Sequence, residues 1–302
     1  MLDPPRPNGL APGPRRYAYT VERADLEEPE LLEITVGRAR LAAVRHGSGG
    51  APQVVFLHTG ISDRRSWYGV MDLLSPEMDV VAYDRRGFGV TAYRAEKHDQ
   101  LVDLRAVLDT LELGQVVLVG NSRGGQIALD FTLTHPERVA ALVLVAPAIS
   151  GAPVVSDAAI DPTEAAIWET LEAADAAGAL HALNLGEIRL WLDGPHAPEG
   201  RVDGALRELA LEMNEIALHA DSPGHEPEPP DAWSRLSEVR CPVLVVVGDL
   251  DLGHIQQRCR ELASRIEGAH LRLMEGAAHL PGFEQPAAFA TALRNFLRQQ
   301  EG

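Results

Sequence analysis

The chain has 302 residues, which at this length means one large domain or two modest ones. Hydrophobic residues supply 45% of it, enough for a sizeable core, while a formal net charge of −17 repels nucleic acid and anionic membrane and argues against both as partners. Two cysteines, Cys241 and Cys259, are too few for a disulfide framework and lack the paired spacing of a zinc site, so a reducing cytoplasm is the expected setting. The stretch from Met1 to Gly9 has no apolar h-region, and no apolar run approaches membrane-spanning length.

Residues 1–16 hold five prolines and two glycines and read as a loosely draped arm. Two antiparallel edge strands follow, Leu32–Val36 and Ala39–Arg45, about a turn at Gly37. From 54 to 146, apolar runs near 54–58, 80–83, 116–120 and 139–145 alternate with helical stretches near 65–74, 100–111 and 124–135. That alternation predicts a parallel sheet with helices on both faces. The pattern stops at Pro147 and resumes at Pro242.

Helices without strands fill the interval. Asp161-Pro162-Thr163-Glu164 is a helix start, with Ile167, Leu171 and Ala174 on one face behind it. A second helix spans about 179–192, and a third carries the stripe Val202, Leu206, Leu209, Met213 and Ile216. Asp221–Pro230, with four prolines, reads as a linker back to the core. The expected organisation is therefore an arm (1–16), a first core segment (17–150), a helical insertion (151–235) and a second core segment (236–302).

The chemistry concentrates in Val116-Val-Leu-Val-Gly120-Asn-Ser122-Arg-Gly124-Gly125. An apolar strand breaks into Gly-x-Ser-x-Gly and a helix follows, which places a serine at the apex of a sharp turn. Here the chain resembles the α/β-hydrolase family, and further segments carry the same resemblance. Val54–Leu57 runs into His58-Thr59-Gly60-Ile61, similar to the family's oxyanion loop. Val80–Tyr83 runs into Asp84-Arg85-Arg86-Gly87-Phe88-Gly89, similar to its next strand and turn. Pro242–Gly248 leads to Asp249 and Asp251, and Leu271–Met274 leads to His279.

The resemblance implies a doubly wound, mostly parallel eight-stranded α/β sheet, with the helical insertion after strand 6 serving as a cap. It also implies a Ser122, Asp251, His279 triad in that chain order, with oxyanion donors on the backbone of Gly60 and Arg123. A serine hydroxyl needs a base to take its proton as it attacks, and an aspartate must fix the tautomer of that imidazole. Family spacing selects Asp251 over Asp249, and Ile61 is the alternative to Gly60. His58 is expected to order its loop, and His254, which opens the helix after the acid loop, ranks behind His279 as the base. Asp84, Arg85 and Arg86 are expected to be structural.

Arg123 departs from the family pattern: its side chain binds a substrate carboxylate or is neutralised by a carboxylate of the insertion. Trp168, Trp191 and Met213 are candidates for the pocket wall. The expected activity is hydrolysis of a small carboxylic ester or lactone through an acyl-enzyme, without metal or other cofactor. The alternatives are carbon–carbon cleavage of a vinylogous diketone acid on the same triad, and a ligand receptor with slow or no turnover. Epoxide hydrolase and haloalkane dehalogenase chemistry is disfavoured, because both need a carboxylate where Ser122 stands. Oligomeric state is not legible in the sequence.

Overall fold

The structure, a computed structural model, describes residues 29–47, 52–154 and 161–300, so the proline-rich arm lies outside it. Eight strands form the main sheet: β1 (Glu30–Val36), β2 (Ala39–His46), β3 (Gln53–Leu57), β4 (Asp79–Tyr83), β5 (Val116–Asn121), β6 (Val139–Val145), β7 (Val243–Gly248) and β8 (His270–Met274). Their spatial order is β1-β2-β4-β3-β5-β6-β7-β8, with a two-residue strand at Ala92–Tyr93 appended to β2. Among the eight only the β1–β2 and β2–β4 pairings are antiparallel, and the appended strand also runs antiparallel to β2. From β4 to β8 every neighbour runs parallel, as the strand–helix alternation predicts.

Strand periodicity divides the core in two. In β3, Val55 and Leu57 face one side and Val54 and Phe56 the other; in β5, Val116 and Leu118 oppose Val117 and Val119. The first side is covered by helices α2 (Gln100–Thr110), α3 (Arg123–Thr134) and α7 (Gly253–Arg265). The second is covered by α1 (Tyr68–Leu74) and α8 (Pro286–Arg298), where Trp67 lies between Phe56 and Phe289. Each fully buried Leu or Phe here contributes roughly 1.5–3 kcal/mol relative to exposure.

The chain leaves β3 toward β4 and then crosses back to lay β5 on the opposite side of β3. That reversal opens a crevice at the carboxyl ends of β3 and β5, the place where ligands bind in open α/β sheets.

Between β6 and β7 lie helices α4 (Pro162–Ala176), α5 (Leu180–Ile188) and α6 (Gly204–Leu218). Asp161 caps α4 through Thr163 and Glu164 N–H groups, as its sequence predicts. The second helix differs from expectation. After Ile188 it widens into a π-helical turn, Arg189–Asp193, and stops at Gly194, whose φ of 89° no larger residue adopts easily. The linker also differs, because Gly224–His225 forms a short parallel ladder with Glu96–Lys97. No helix among the described residues is long and apolar enough to cross a membrane.

Candidate active site

Ser122 occupies φ 53°, ψ −115°, a region that costs a non-glycine residue strain and persists only where neighbours enforce it. They do so from both sides. The Ser122 N–H donates to the Val145 carbonyl at 2.9 Å, and its own carbonyl accepts from Gln126 and Ala148 at 3.0 and 3.1 Å. A Cβ at Gly120 would strike the Gly124 backbone, and one at Gly124 would strike the Leu57 and His58 carbonyls. The two glycines therefore let α3 press against the end of β3. Close approach brings the start of α3, whose first N–H is on Arg123, against the carbonyls of Leu57 and His58. Among the described residues that N–H has no hydrogen-bond partner.

Across the crevice, β7 ends at Gly248, where a Cβ would meet the Ala277 and Ala278 carbonyls. The loop before His279 can thus lie over the strand end. His279 Nδ1 is 2.8 Å from Asp251 Oδ2, with 3% and 4% of the two residues exposed. The other carboxylate oxygen, Oδ1, accepts the Leu252 N–H at 2.8 Å. Such a carboxylate favours the proton on Nδ1 and leaves Nε2 as the acceptor a base requires.

Asp249 plays a different part: its Oδ1 accepts the Gly276 N–H at 2.7 Å and closes the turn after β8. Gln256 clamps the acid loop by donating to the Asp249 and Asp251 carbonyls at 3.0 and 2.8 Å. His254 is not brought to the pair by any hydrogen bond, and burial lowers its pKa. Ser122 Oγ makes no hydrogen bond to His279 among the described residues, a looseness common in unliganded sites.

The His58–Ile61 loop is ordered from below. His58 is wholly buried; its Nδ1 lies 2.8 Å from the Thr59 carbonyl and its Nε2 accepts the Arg85 N–H at 3.1 Å. Burial, reinforced by the Arg85 charge, pushes its pKa well below the usual histidine value, so it stays neutral. The Ile61 N–H donates to Thr59 Oγ1 at 3.0 Å, whereas the Gly60 N–H has no partner among the described residues.

The Arg123 side chain is neutralised. It donates to Glu226 Oε2 at 2.6 Å and to Gln126 Oε1 at 2.8 Å, and Glu226 also accepts from Gln100 at 2.9 Å. Burial pushes the Glu226 carboxyl up, but the Gln100 hydrogen bond and the Arg123 charge hold it below the ordinary glutamate value.

The insertion reaches the candidate base directly. The Trp191 carbonyl in the π-turn accepts the His279 N–H at 3.1 Å, and the indole lies 4.5 Å from the imidazole, centroid to centroid. Trp168 stands edge-on to Trp191 at 5.8 Å. Met213 does not reach an open pocket surface. It is fully buried with Ile188, Leu192, Leu209, Leu280 and Phe283, because the stripe it shares faces the segment just after His279.

Asn121 is a residue that sequence reasoning passed over. Its side-chain amide donates to both the Val145 and His279 carbonyls at 3.0 Å, tying the strand that leads to Ser122 to the His279 loop. A polar amide closing a wholly apolar strand was the available signal. One trio among the described residues, Asp161, Glu164 and His196, has metal-ligand spacing. Its contacts are already accounted for by the α4 cap and a 2.8 Å His196–Asp161 ion pair.

The chain resembles proteins whose names bracket this chemistry. It is 29% identical over 286 residues to the 2-hydroxymuconate semialdehyde hydrolase of Pseudomonas sp. (strain CF600), covering 88% of this chain and 95% of that one. Its fold matches Est816, described as an N-acyl homoserine lactone degrading enzyme, with a TM-score of 0.68 and 26% identity over 87% of this chain and 99% of that one. It also matches a thermophilic esterase from Thermogutta terrifontis, with a TM-score of 0.69, 24% identity, and 90% and 99% of the two chains covered; that likeness speaks for the fold alone. A family described as the alpha/beta hydrolase family matches residues 54–292. With most of its length matched and the sheet order in hand, the chain belongs to the alpha/beta hydrolase family.

Proposed function

We propose that this hydrolase cleaves a small carboxylic ester or lactone through an acyl-enzyme on Ser122. The observations that carry the reading are the buried Asp251–His279 pair at 2.8 Å and a serine held at φ 53° on a strand–helix turn, with Asn121 beside that serine bonded to the His279 carbonyl. In the first half-reaction Ser122 Oγ attacks the carbonyl carbon while its proton passes to His279 Nε2. The carbonyl oxygen becomes an alkoxide between the Gly60 and Arg123 N–H groups. Collapse expels the alcohol, which takes the proton from His279. Water then repeats the sequence on the acyl-enzyme and releases the acid. Asp251 keeps the imidazole in register and stabilises its charged form without itself taking the proton.

The helical insertion acts as a cap in this reading, with Trp191 and Trp168 forming the wall nearest the base. Carbon–carbon cleavage is the second reading, favoured by the name of the Pseudomonas relative. The Arg123–Glu226 pair weighs against it, because the cation that an acidic substrate would seek beside Ser122 is already occupied.

The test is covalent labelling together with turnover. A fluorophosphonate probe labels the wild type and leaves Ser122→Ala unlabelled, and that variant loses roughly 10⁴–10⁶ in kcat on a short aryl ester. Labelling that survives the substitution overturns the mechanism, and a single burst followed by stalled turnover marks a receptor instead.

A further inference from the structure

Arg85 has an environment that the reaction as drawn leaves unexplained. Only 3% of it is exposed, and among the described residues no carboxylate lies within ion-pair distance of its guanidinium. The carboxylates near it are taken: Asp84 pairs with Arg64, Asp103 with Arg86, and Glu226, whose charge acts on Arg85 from beyond ion-pair distance, with Arg123. A buried cation without a counter-charge is costly unless fixed dipoles replace the water it has lost. Those dipoles are identifiable. One Arg85 nitrogen, Nη2, donates to the Thr59 carbonyl at 2.5 Å and lies 3.4 Å from the His58 carbonyl, and the guanidinium sits 4.4 Å above the Phe88 ring. Its Nε has no partner among the described residues. Burial lowers its pKa to about 10, which still leaves it charged at neutral pH.

The Thr59 carbonyl belongs to the same peptide unit as the Gly60 N–H. In a trans peptide those two groups point in opposite directions. The oxygen is held from the protein interior by Arg85 at 2.5 Å and by His58 Nδ1 at 2.8 Å. The N–H must therefore point away from them, on the side where Gly60 is exposed and an added Cβ would meet nothing within 4 Å. The neighbouring Ile61 N–H is diverted to Thr59 Oγ1.

We propose that Arg85 is a positioning residue of the oxyanion hole: by pinning the Thr59 carbonyl, its guanidinium aims the Gly60 N–H at the alkoxide formed on attack by Ser122. The second donor, on Arg123, is fixed by the start of a helix and needs no such anchor. The loop donor does. The same contact polarises the peptide, since a donor on the carbonyl strengthens the N–H at the other end. A fixed positive charge behind the peptide also favours the negative charge that develops in front of it. An uncharged donor could hold the loop; it would not supply that field.

The inference rests on the serine-hydrolase reading, and its test separates the two. Wild type, Arg85→Met and Arg85→Lys are compared on an aryl acetate, with melting temperatures measured in parallel. Two inhibitors accompany the substrate: an aryl trifluoromethyl ketone, which adds Ser122 Oγ to its carbonyl carbon and forms an alkoxide in the hole, and the matching methyl ether, which cannot. Removing one oxyanion donor outright costs about 10²–10³ in kcat, so misaiming it in Arg85→Met is expected to cost roughly 10- to 100-fold. Trifluoromethyl ketone affinity falls by the same factor, while KM and ether affinity move by less than about twofold. Arg85→Lys keeps the charge and one donor and shows a smaller loss in the same two quantities; it carries the test if the methionine variant does not fold.

Loss of kcat with trifluoromethyl ketone affinity unchanged, or an equal loss for ketone and ether, overturns the positioning role. Fluorophosphonate labelling tells which statement has failed. Labelled Ser122 with unmoved ketone affinity removes the inference alone, whereas an unlabelled wild type removes the acyl-enzyme reading and the inference with it.

Discussion

Asp251→Asn exchanges one oxygen for an NH₂ group at nearly constant volume, and the structure fixes what each orientation of the amide must give up. If the amide oxygen keeps the Oδ1 position, it retains the Leu252 N–H now accepted at 2.8 Å. The NH₂ then faces His279 Nδ1 across 2.8 Å, two donors nose to nose, unless the imidazole moves its proton to Nε2. In that tautomer the ring has no lone pair for the Ser122 proton. If the amide turns over, Nδ1–H is satisfied and the NH₂ confronts the Leu252 N–H instead. With both residues about 96–97% buried, water cannot relieve either conflict. The first orientation strands only a tautomer, while the second strands a backbone donor at about 1–3 kcal/mol, so the wrong tautomer prevails.

The expected cost is on the order of 10⁴ in kcat, with the fold retained. Asp249→Asn is the internal control, because its remaining oxygen can still accept the Gly276 N–H and no imidazole depends on it. Its loss should stay within severalfold. The assay is initial-rate hydrolysis of an aryl ester from pH 6 to 9, with circular dichroism melts. A drop of less than tenfold in Asp251→Asn, or a larger drop in Asp249→Asn, refutes the reasoning.

Two further predictions concern charge away from the triad. Burial raises the Asp130 pKa to about 6, against an ordinary aspartate value of 3.8, even though Ser150 donates to it at 2.6 Å. Between about pH 4 and 6 the native state holds a proton that the unfolded chain has released, so stability falls as pH rises through that window and is flat above it. Asp130→Asn should abolish this decline and raise stability at pH 8 by on the order of 1–3 kcal/mol in a denaturant titration; an unchanged slope between pH 4 and 6 counts against it. Glu226→Gln should release the Arg123 guanidinium, so kcat/KM for an ω-carboxylated ester rises about tenfold relative to its neutral counterpart, the worth of one charge-assisted hydrogen bond. An unchanged ratio means the side chain does not reach the acyl group.

The sheet was legible because its signals are local. Apolar runs of four to seven residues such as Val54–Leu57 and Val139–Val145, separated by helical stretches, leave few topologies open once crossovers are right-handed. The Ser122 turn and the pairing of Asp251 with His279 were legible for a related reason: each residue follows a strand end, and the glycines at 120, 124 and 248 mark where backbones must nearly touch. Contacts between distant segments were not legible. Nothing near Glu226 announces Arg123, which lies 103 residues away, and nothing in Arg189–Asp193 announces that its carbonyl will meet His279. Arg85 illustrates the same limit. In the sequence it is one charge in a turn of three; all three are buried, and only the lack of a carboxylate partner among the described residues sets it apart from Arg86, which has Asp103, and from Asp84, which has Arg64. Met213 was misplaced by its own periodicity, since an apolar stripe has one appearance whether it faces a substrate or a neighbouring loop.

The Trp191 carbonyl on the His279 N–H makes the helical insertion a poor candidate for exchange as a module. A chimera that grafts the helices of a relative between β6 and β7 brings its own turn geometry. Where that turn continues as an ordinary α-helix, its carbonyls point along the helix axis and are spent on its own N–H groups. The His279 N–H then loses its acceptor inside the protein, at about 1–3 kcal/mol, and the imidazole loses the anchor that sets its height above the sheet. Such chimeras fail through a misaligned base even when the new pocket has the right shape. A graft that preserves the five residues from Arg189 to Asp193 changes the walls while leaving that anchor in place.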